Sequence, residues 1–179
     1  TNPTIIVIMN ESFADLSVIG DMQTNKPLTP FIDSLSENTI KGYALSSVFG
    51  AKTPNSEWEY MTGTSMAFLP EGSVVYHQYI SDTPTSIVSN LKNIGYTCVA
   101  MHPYYETGWS RNQVYPDLGY DEMYFIDDFD QTNIIREYIT DEELYNGIIK
   151  RFEKKAANEE LYIMGITMQN HGGYTETYD

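Results

Sequence analysis

A threonine that follows a lysine at the predicted start of a helix is the best candidate for nucleophilic chemistry in this sequence. An apolar stretch runs into Gly50-Ala51, and the pattern predicts a helix with Thr53 as N-cap, Pro54 as first residue and Gly63 just past the end. A helix N-terminus carries free N–H groups and a partial positive charge, which favour a developing alkoxide and an incoming phosphate. Lys52 adds a positive charge beside it. Thr53 is therefore a candidate nucleophile.

An ordinary helix cap is the alternative interpretation of the same residues. Thr-Pro occurs three times, at Thr29, Thr53 and Thr83, and each pair precedes a helix-like pattern, so capping alone explains all three. The stretch is not a phosphate-binding P-loop, because that motif requires glycine where this chain has Ala51 and Ser46. The nucleophile hypothesis therefore depends on the rest of the chain.

The composition indicates a folded, acidic protein. The 179 residues include 41% hydrophobic and 13% aromatic side chains, which supply a core and exclude a disordered chain. The formal net charge is −15 with only 10 Lys and Arg, which argues against nucleic-acid binding because phosphate contacts need a basic face. The single cysteine, Cys98, excludes an intrachain disulfide and a zinc site built from several cysteines. No apolar run approaches the roughly 18 residues that a membrane span needs.

Apolar runs predict the strands of a layered α/β fold. The main strands are expected at residues 4–9, 40–49, 96–101 and 161–167, with a shorter one at 121–126. The first run is rich in β-branched residues, which is typical of a strand buried on both faces of a largely parallel sheet.

Helical periodicity predicts amphipathic helices between these strands. A short helix from about residue 30 is expected to turn Phe31, Ile32 and Leu35 towards the core. Residues 84–94 form a further predicted helix, and Thr140 begins the strongest one with a capping box. The buried positions expected in that last helix are Leu144, Ile148, Ile149 and Phe152.

Polar residues that could take part in catalysis or ligand binding follow each of the four main predicted strands. Glu11 comes after the first, Thr53 after the second, His102 after the third and His171 after the fourth. The carboxyl ends of parallel strands meet at one edge of a sheet, where open α/β sheets bind ligands. This shared placement favours a functional site. The alternatives are that Glu11 is a solvated loop acid and His171 an exposed histidine in a glycine-rich turn.

Five short motifs occur in order along the chain: Ile8-Met9-Asn10-Glu11-Ser12, Thr29-Pro30-Phe31, Gly50-x-Lys52-Thr53-x-Asn55-Ser56-Glu57, Trp109-Ser-Arg111-Asn-Gln and Asn170-His171-Gly172. Together they resemble the lipoteichoic acid synthase family of phosphoglycerol transferases, within the alkaline phosphatase and sulfatase superfamily. The resemblance runs over essentially the whole chain. It implies an α/β fold of the alkaline phosphatase/sulfatase type, with a mostly parallel central sheet flanked by helices. Residues 1–179 would be one domain, the N-terminal portion of a sulfatase-like catalytic domain truncated at its C-terminus.

The resemblance also implies a divalent metal site. Glu11 would bind the metal, and Thr53 would be both metal ligand and nucleophile. Oxygen ligands favour Mn²⁺ or Mg²⁺, and Zn²⁺ is the alternative because the family completes its site with an Asp-His pair. This chain contains no Asp-His dipeptide and ends at Asp179, so the remaining ligands are expected beyond it. The chain by itself is therefore expected to be inactive.

The same resemblance implies substrate contacts at four side chains. Trp109, Arg111 and His171 would contact the phosphoglycerol group, with His102 near the substrate. The guanidinium of Arg111 is a planar fork that matches phosphate oxygens, and an imidazole such as His171 can protonate a leaving oxygen. From the residues alone, an ordinary cation–π pair remains the alternative for Trp109 and Arg111.

The implied activity is transfer of phosphoglycerol from a phosphatidylglycerol-type lipid donor to a glycerolphosphate or glycan acceptor, in lipoteichoic acid synthesis or a related glycan modification. The intact protein is expected at the cell membrane, anchored by segments outside this chain, with this domain extracellular. Alternatives are a phosphoethanolamine transferase or a sulfatase-like hydrolase of the same superfamily, and a non-catalytic extracellular binding module. Arylsulfatases use Cys or Ser followed by x-Pro-x-Arg, which Thr53-Pro54-Asn55-Ser56-Glu57 lacks.

Overall fold

Four parallel strands form the central sheet in the computed structural model, which describes residues 2–80 and 83–174. The strands of the described residues are β1 (Ile5–Met9), β2 (Tyr96–Met101), β3 (Glu122–Tyr124), β4 (Ile134–Ile135), β5 (Tyr138–Ile139) and β6 (Glu160–Ile166). The sheet order is β1-β6-β2-β3, and every neighbouring pair is parallel. Strands β4 and β5 form a separate antiparallel hairpin.

Helices connect these strands. They are α1 (Pro30–Ser34), α2 (Thr53–Thr62), α3 (Val75–Gln78), α4 (Ile87–Asn93), α5 (Arg111–Leu118) and α6 (Asp141–Glu153). Thr140 caps α6 as predicted, since its side chain accepts a hydrogen bond from the backbone N–H of Glu143. Helix α4 begins three residues later than predicted, because the hydroxyl of Ser86 caps it. Within the described ranges, none of the helices has the length and apolar content to cross a membrane.

The core lies on both faces of the sheet. Side chains alternate along β2, so Cys98 and Ala100 pack with helices α2 to α5 on one face. Val99 and Met101 pack on the other face against residues of α6 such as Leu144. A parallel sheet covered by helices on both faces is the predicted α/β architecture, which is confirmed.

The predicted strand at residues 40–49 is wrong. No strand forms there, and Ile40, Leu45 and Phe49 are fully exposed. Within the described ranges no neighbouring strand pairs with this segment, and its apolar residues alone do not satisfy backbone hydrogen-bonding groups. The prediction for α1 is also wrong in its packing: the helix forms, but Phe31 is 71% exposed.

Two further predictions give the correct secondary structure but the wrong burial of side chains. Strand β1 forms, but it lies at the edge of the sheet, so Ile6 is exposed rather than enclosed on both faces. In α6, Leu144 and Ile148 are buried as predicted, whereas Ile149 and Phe152 are exposed. The sheet covers a narrower stripe of α6 than its apolar residues suggest.

Candidate active site

The carboxylate that follows β1 and the hydroxyl that begins α2 are in direct contact. Thr53 Oγ1 donates a hydrogen bond to Glu11 Oε2 at 3.0 Å. The backbone N–H of Glu11 donates to the hydroxyl of the buried Thr167, 2.8 Å away, just after β6. The two neighbouring strand ends thus fix the position of Glu11, and Glu11 in turn holds the Thr53 hydroxyl.

The Thr53 hydroxyl does not cap its own helix. The N-cap residue is Lys52, not Thr53 as predicted, and no side chain caps the helix start. Gly50, Ala51 and Lys52 all have positive φ angles, of 57°, 51° and 61°. This conformation is unfavourable for Ala and Lys, and such strain is commonly found at functional sites. The capping interpretation of Thr53 is therefore wrong.

His102 follows β2 and is almost completely buried. Its Nδ1 lies 3.0 Å from the carbonyl oxygen of Ile166, an acceptor, so Nδ1 carries the proton and Nε2 the lone pair. Burial, reinforced by the positive charge of Arg111, lowers the pKa of His102 to about 3. The ring is therefore neutral near pH 7, with the lone pair of Nε2 able to accept a hydrogen bond.

The loop that carries Trp109 leads directly into the buried Arg111. Trp109 and Ser110 have positive φ angles of 55° and 57°, a second strained segment. Arg111 is 2% exposed and forms an ion pair with Glu57 at 2.5 Å. The cation–π pairs of the described residues involve Arg136 and not Arg111.

His171 follows β6 and is exposed. Its Nδ1 lies 3.3 Å from the hydroxyl of Tyr138, on the β4–β5 hairpin, and the two ring centroids are 5.6 Å apart. The same nitrogen lies 3.3 Å from the carbonyl oxygen of Gly172, so the hairpin and the local turn together position this histidine.

One cavity of about 320 Å³ brings together all six side chains that the sequence singles out. Its lining includes Glu11, Thr53, His102, Trp109, Arg111 and His171. A neighbouring cavity of about 550 Å³ shares Glu11 and Thr53 and extends to Lys52. A phosphate group in the first cavity would meet the Thr53 hydroxyl, two imidazoles and the Arg111 guanidinium, beside the Glu11 carboxylate. The geometry thus suits an anionic substrate.

A third cavity, of about 290 Å³, lies against α6 and contains none of these six residues. Its basic residues, Lys150, Arg151 and Lys154, are accompanied by the acidic Asp128 and Glu143. Arg151 is already paired with Glu122 at 2.8 Å. The charges that line this cavity are therefore of both signs, and its arginine is already paired.

The donor set at Glu11 and Thr53 fits part of a divalent metal site. A carboxylate and a hydroxyl are oxygen ligands, which Mn²⁺ and Mg²⁺ prefer. Within residues 2–80 and 83–174, however, no three His, Cys, Asp or Glu side chains cluster closely enough to hold an ion. These two residues would therefore supply only part of the ligand shell.

Two residues close to the site are missed by the sequence reasoning. Glu57 belongs to a quoted motif, and its position four residues after Thr53 places both on one face of α2, which is the available signal. Tyr138 offers no such signal, because only the folded hairpin brings it to His171.

Fold and site define a class: an alkaline phosphatase/sulfatase-like α/β domain with a hydroxyl group and a carboxylate at the carboxyl edge of its parallel sheet. Two solved structures share the fold. The phosphoglycerol transferase GacH from Streptococcus pyogenes, in complex with sn-glycerol-1-phosphate, superposes with a TM-score of 0.82 at 24% identity, covering 98% of this chain and 46% of that one. The lipoteichoic acid synthase LtaP from Listeria monocytogenes superposes with a TM-score of 0.81 at 23% identity, covering 94% of this chain and 41% of that one.

The chain belongs to the Sulfatase family, whose sequence model matches residues 3–179. A Rhizobium meliloti protein named for cyclic beta-1,2-glucan modification is 31% identical over 172 residues, covering 96% of this chain and 26% of the relative. A lipoteichoic acid synthase from Staphylococcus saprophyticus is 30% identical over 177 residues, covering 96% of this chain and 27% of the relative. The chain thus spans about a quarter of the length of these curated relatives. The resemblance stated above is confirmed.

Proposed function

We propose that the protein containing this chain transfers phosphoglycerol from a phosphatidylglycerol-type lipid through a phosphoglyceryl-Thr53 intermediate. The observation that carries the proposal is the 3.0 Å hydrogen bond between Thr53 Oγ1 and Glu11 Oε2, at a cavity that Arg111 also lines. A hydroxyl held by a carboxylate beside a guanidinium suits attack on a phosphodiester. The similarity to lipoteichoic acid synthases supports phosphoglycerol as the transferred group.

Thr53 is the nucleophile of the first half-reaction. Its hydroxyl donates to Glu11, so the oxygen lone pairs remain available to the phosphorus atom. The bond from Thr53 Oγ1 to phosphorus forms, the bond from phosphorus to the diacylglycerol oxygen breaks, and the Thr53 proton passes to Glu11 Oε2, which returns it when the acceptor releases Thr53. A divalent ion held by Glu11 and Thr53 would lower the pKa of the hydroxyl and offset the phosphate charge.

The other side chains of the cavity bind the donor and move protons. Arg111 donates to phosphate oxygens. His171, which is exposed at the cavity, protonates the leaving diacylglycerol oxygen and later takes the proton of the acceptor hydroxyl. His102 accepts a hydrogen bond from a glycerol hydroxyl at Nε2, and Trp109 packs against the glycerol carbons.

The acceptor is a hydroxyl of glycerolphosphate or of a glycan. The two relatives described above favour different choices, since one is named for lipoteichoic acid synthesis and the other for cyclic glucan modification. In either case the acceptor oxygen attacks phosphorus and releases Thr53. Supplying each acceptor separately to the full-length protein distinguishes them.

The setting of this reaction is part of the proposal. Residues 1–179 are the N-terminal portion of a catalytic domain that lies outside the cell, in a protein anchored to the membrane by other segments. A lipid donor requires access to the membrane surface. The extracellular location is inferred from the similarity to lipoteichoic acid synthases. A phosphoethanolamine transferase, a sulfatase-like hydrolase or a non-catalytic module would each fail to transfer glycerol phosphate.

The test is transfer by the full-length protein from phosphatidylglycerol labelled in its glycerol headgroup. Thr53→Ala is expected to abolish transfer, and Thr53→Ser to retain part of it because a hydroxyl remains. Thr62→Ala is the matched control, because the hydroxyl of this threonine, at the other end of α2, donates to the carbonyl of Trp58 and accepts from the backbone N–H of Thr64, and Thr62 does not line the cavity. Near-normal turnover by Thr53→Ala overturns the proposal.

A further inference from the structure

Glu57 is a fully buried carboxylate to which the site chemistry assigns no task. It accepts hydrogen bonds from Arg111 Nη2 at 2.5 Å and from Arg111 Nε at 3.4 Å. The hydroxyls of Tyr76 and Tyr115 each donate to its Oε2 at 3.0 Å. Helices α2, α3 and α5 therefore meet at this one carboxylate.

A buried ion pair of this kind needs an explanation other than stability. Removing two charges from water costs several kcal/mol per ion, and well-packed apolar residues often stabilise a fold equally well. Burial alone would lower the pKa of Arg111, but the carboxylate of Glu57 outweighs it and raises that pKa above its ordinary value. Arg111 thus stays charged while lining the cavity that contains Thr53.

The geometry connects this ion pair to the nucleophile. Glu57 lies four residues after Thr53 on α2, so both side chains project from the same face of the helix. A rigid helical turn therefore sets the distance between the attacking hydroxyl and the carboxylate that holds Arg111.

The contacts of Arg111 leave part of its guanidinium for a ligand. Nε and Nη2 each donate to Glu57, and Nη1 donates to the carbonyl of Gly108 at 3.3 Å. Among the described residues these bonds use three of the five N–H groups of an arginine, and the guanidinium also interacts with the Tyr115 hydroxyl. The bond to Gly108 also fixes the strained loop that carries Trp109.

We infer that Glu57 is a positioning residue, which orients Arg111 so that its remaining N–H groups face the phosphate of the substrate. This inference rests on the proposed function, because it assigns Arg111 to that substrate. Tyr76 and Tyr115 hold Glu57 in place by donating to its second oxygen, Oε2.

The test compares Glu57→Gln with the wild-type full-length protein, using the Kd of sn-glycerol 1-phosphate and the kcat and KM of transfer. Glu57→Gln is expected to raise Kd and KM about tenfold and to lower kcat/KM about 100-fold, because misplacing a binding group by about 1 Å has effects of that size. Glu122→Gln is the matched control: it removes the ion pair with Arg151 outside the site and should leave Kd within about twofold.

A double-mutant cycle separates positioning from a loss of stability. In an Arg111→Lys background, Glu57→Gln should change Kd little further, because its effect passes through the missing guanidinium. Equal effects of Glu57→Gln in both backgrounds overturn the inference. If Glu57→Gln does not fold, Tyr115→Phe removes one bond to Glu57 and keeps the ring, and it should raise Kd severalfold; an unchanged Kd then overturns the inference.

The outcome for the wild type separates the two claims. A wild type that neither transfers phosphoglycerol nor binds sn-glycerol 1-phosphate contradicts the proposed function, and the inference fails with it. A wild type that transfers normally beside an equally active, equally binding Glu57→Gln variant contradicts only the positioning role of Glu57.

Discussion

His102 Nδ1 and the carbonyl oxygen of Ile166 lie 3.0 Å apart, a hydrogen bond that joins the end of β2 to the last residue of β6. The imidazole is almost completely buried at this junction. The bond sets its tautomer, and burial, followed by the charge of Arg111, lowers its pKa to about 3 from an ordinary value of 6.5. The protein therefore keeps a neutral histidine at the cavity.

This low pKa predicts a loss of stability in mild acid. Between about pH 6.5 and 3 the unfolded chain binds a proton at His102 that the folded protein does not, so the free energy of unfolding falls as pH falls. The slope is at most about 1.4 kcal/mol per pH unit for one group. The free energy of unfolding is measured in urea between pH 7 and 5 for the wild type and for His102→Gln. Its slope against pH should be smaller in the variant. Identical slopes in both proteins would contradict a neutral buried ring.

The buried face of α6 predicts unequal effects for two neighbouring apolar residues. Leu144 is completely buried between α6 and the sheet, so Leu144→Ala should destabilise the fold by about 2–5 kcal/mol. Ile149 is 52% exposed, and Ile149→Ala should cost about 0.5 kcal/mol or less. The denaturant midpoints of the two variants measure this difference. Comparable losses of stability in both variants would contradict the prediction.

The oxygen donors at Glu11 and Thr53 predict dependence on a hard divalent ion. Exhaustive chelation of the full-length protein should abolish transfer, and Mn²⁺ or Mg²⁺ should restore it, with Zn²⁺ as the alternative. Glu11→Gln should weaken the restored activity, because a neutral amide is a poorer ligand than a carboxylate. Full activity after chelation would rule out any metal role and favour a different nucleophile activation.

The 179-residue chain alone is predicted to bind Mn²⁺ weakly and to show no turnover. Two oxygen ligands leave most of the coordination shell to water, so affinity should be low. Calorimetric titration should be compared with a longer chain that contains an Asp-His pair. Equally tight binding in both would mean that the ligand assignment is wrong.

The local sequence is sufficient to predict the position of an element whose own residues form a clear apolar pattern. Strands β2 and β6 are continuous apolar runs, so their positions, and with them those of His102 and His171, followed directly. Glu11 could be assigned to the same sheet edge because β1 is also an apolar run, whereas Thr53 was assigned there through the predicted strand at residues 40–49, which does not form.

Prediction failed where burial depends on distant partners. Residues 40–49 have strand-like composition without a paired neighbour in the described part of the chain, and Phe31 is apolar without a surface over it. The burial of Glu57 was also hidden, because an acidic residue in a helix is usually exposed and only the tertiary contact with Arg111 shows otherwise.

The most direct test of the central claim is to trap the intermediate on Thr53. The full-length protein is incubated with phosphatidylglycerol without acceptor, quenched in acid, digested and analysed by peptide mass spectrometry. We expect a phosphoglyceryl group on the peptide that contains Thr53, with fragment ions assigning it to that residue, and none in Thr53→Ala. Transfer-competent protein that carries no adduct on Thr53, or carries it on another residue, would contradict the account.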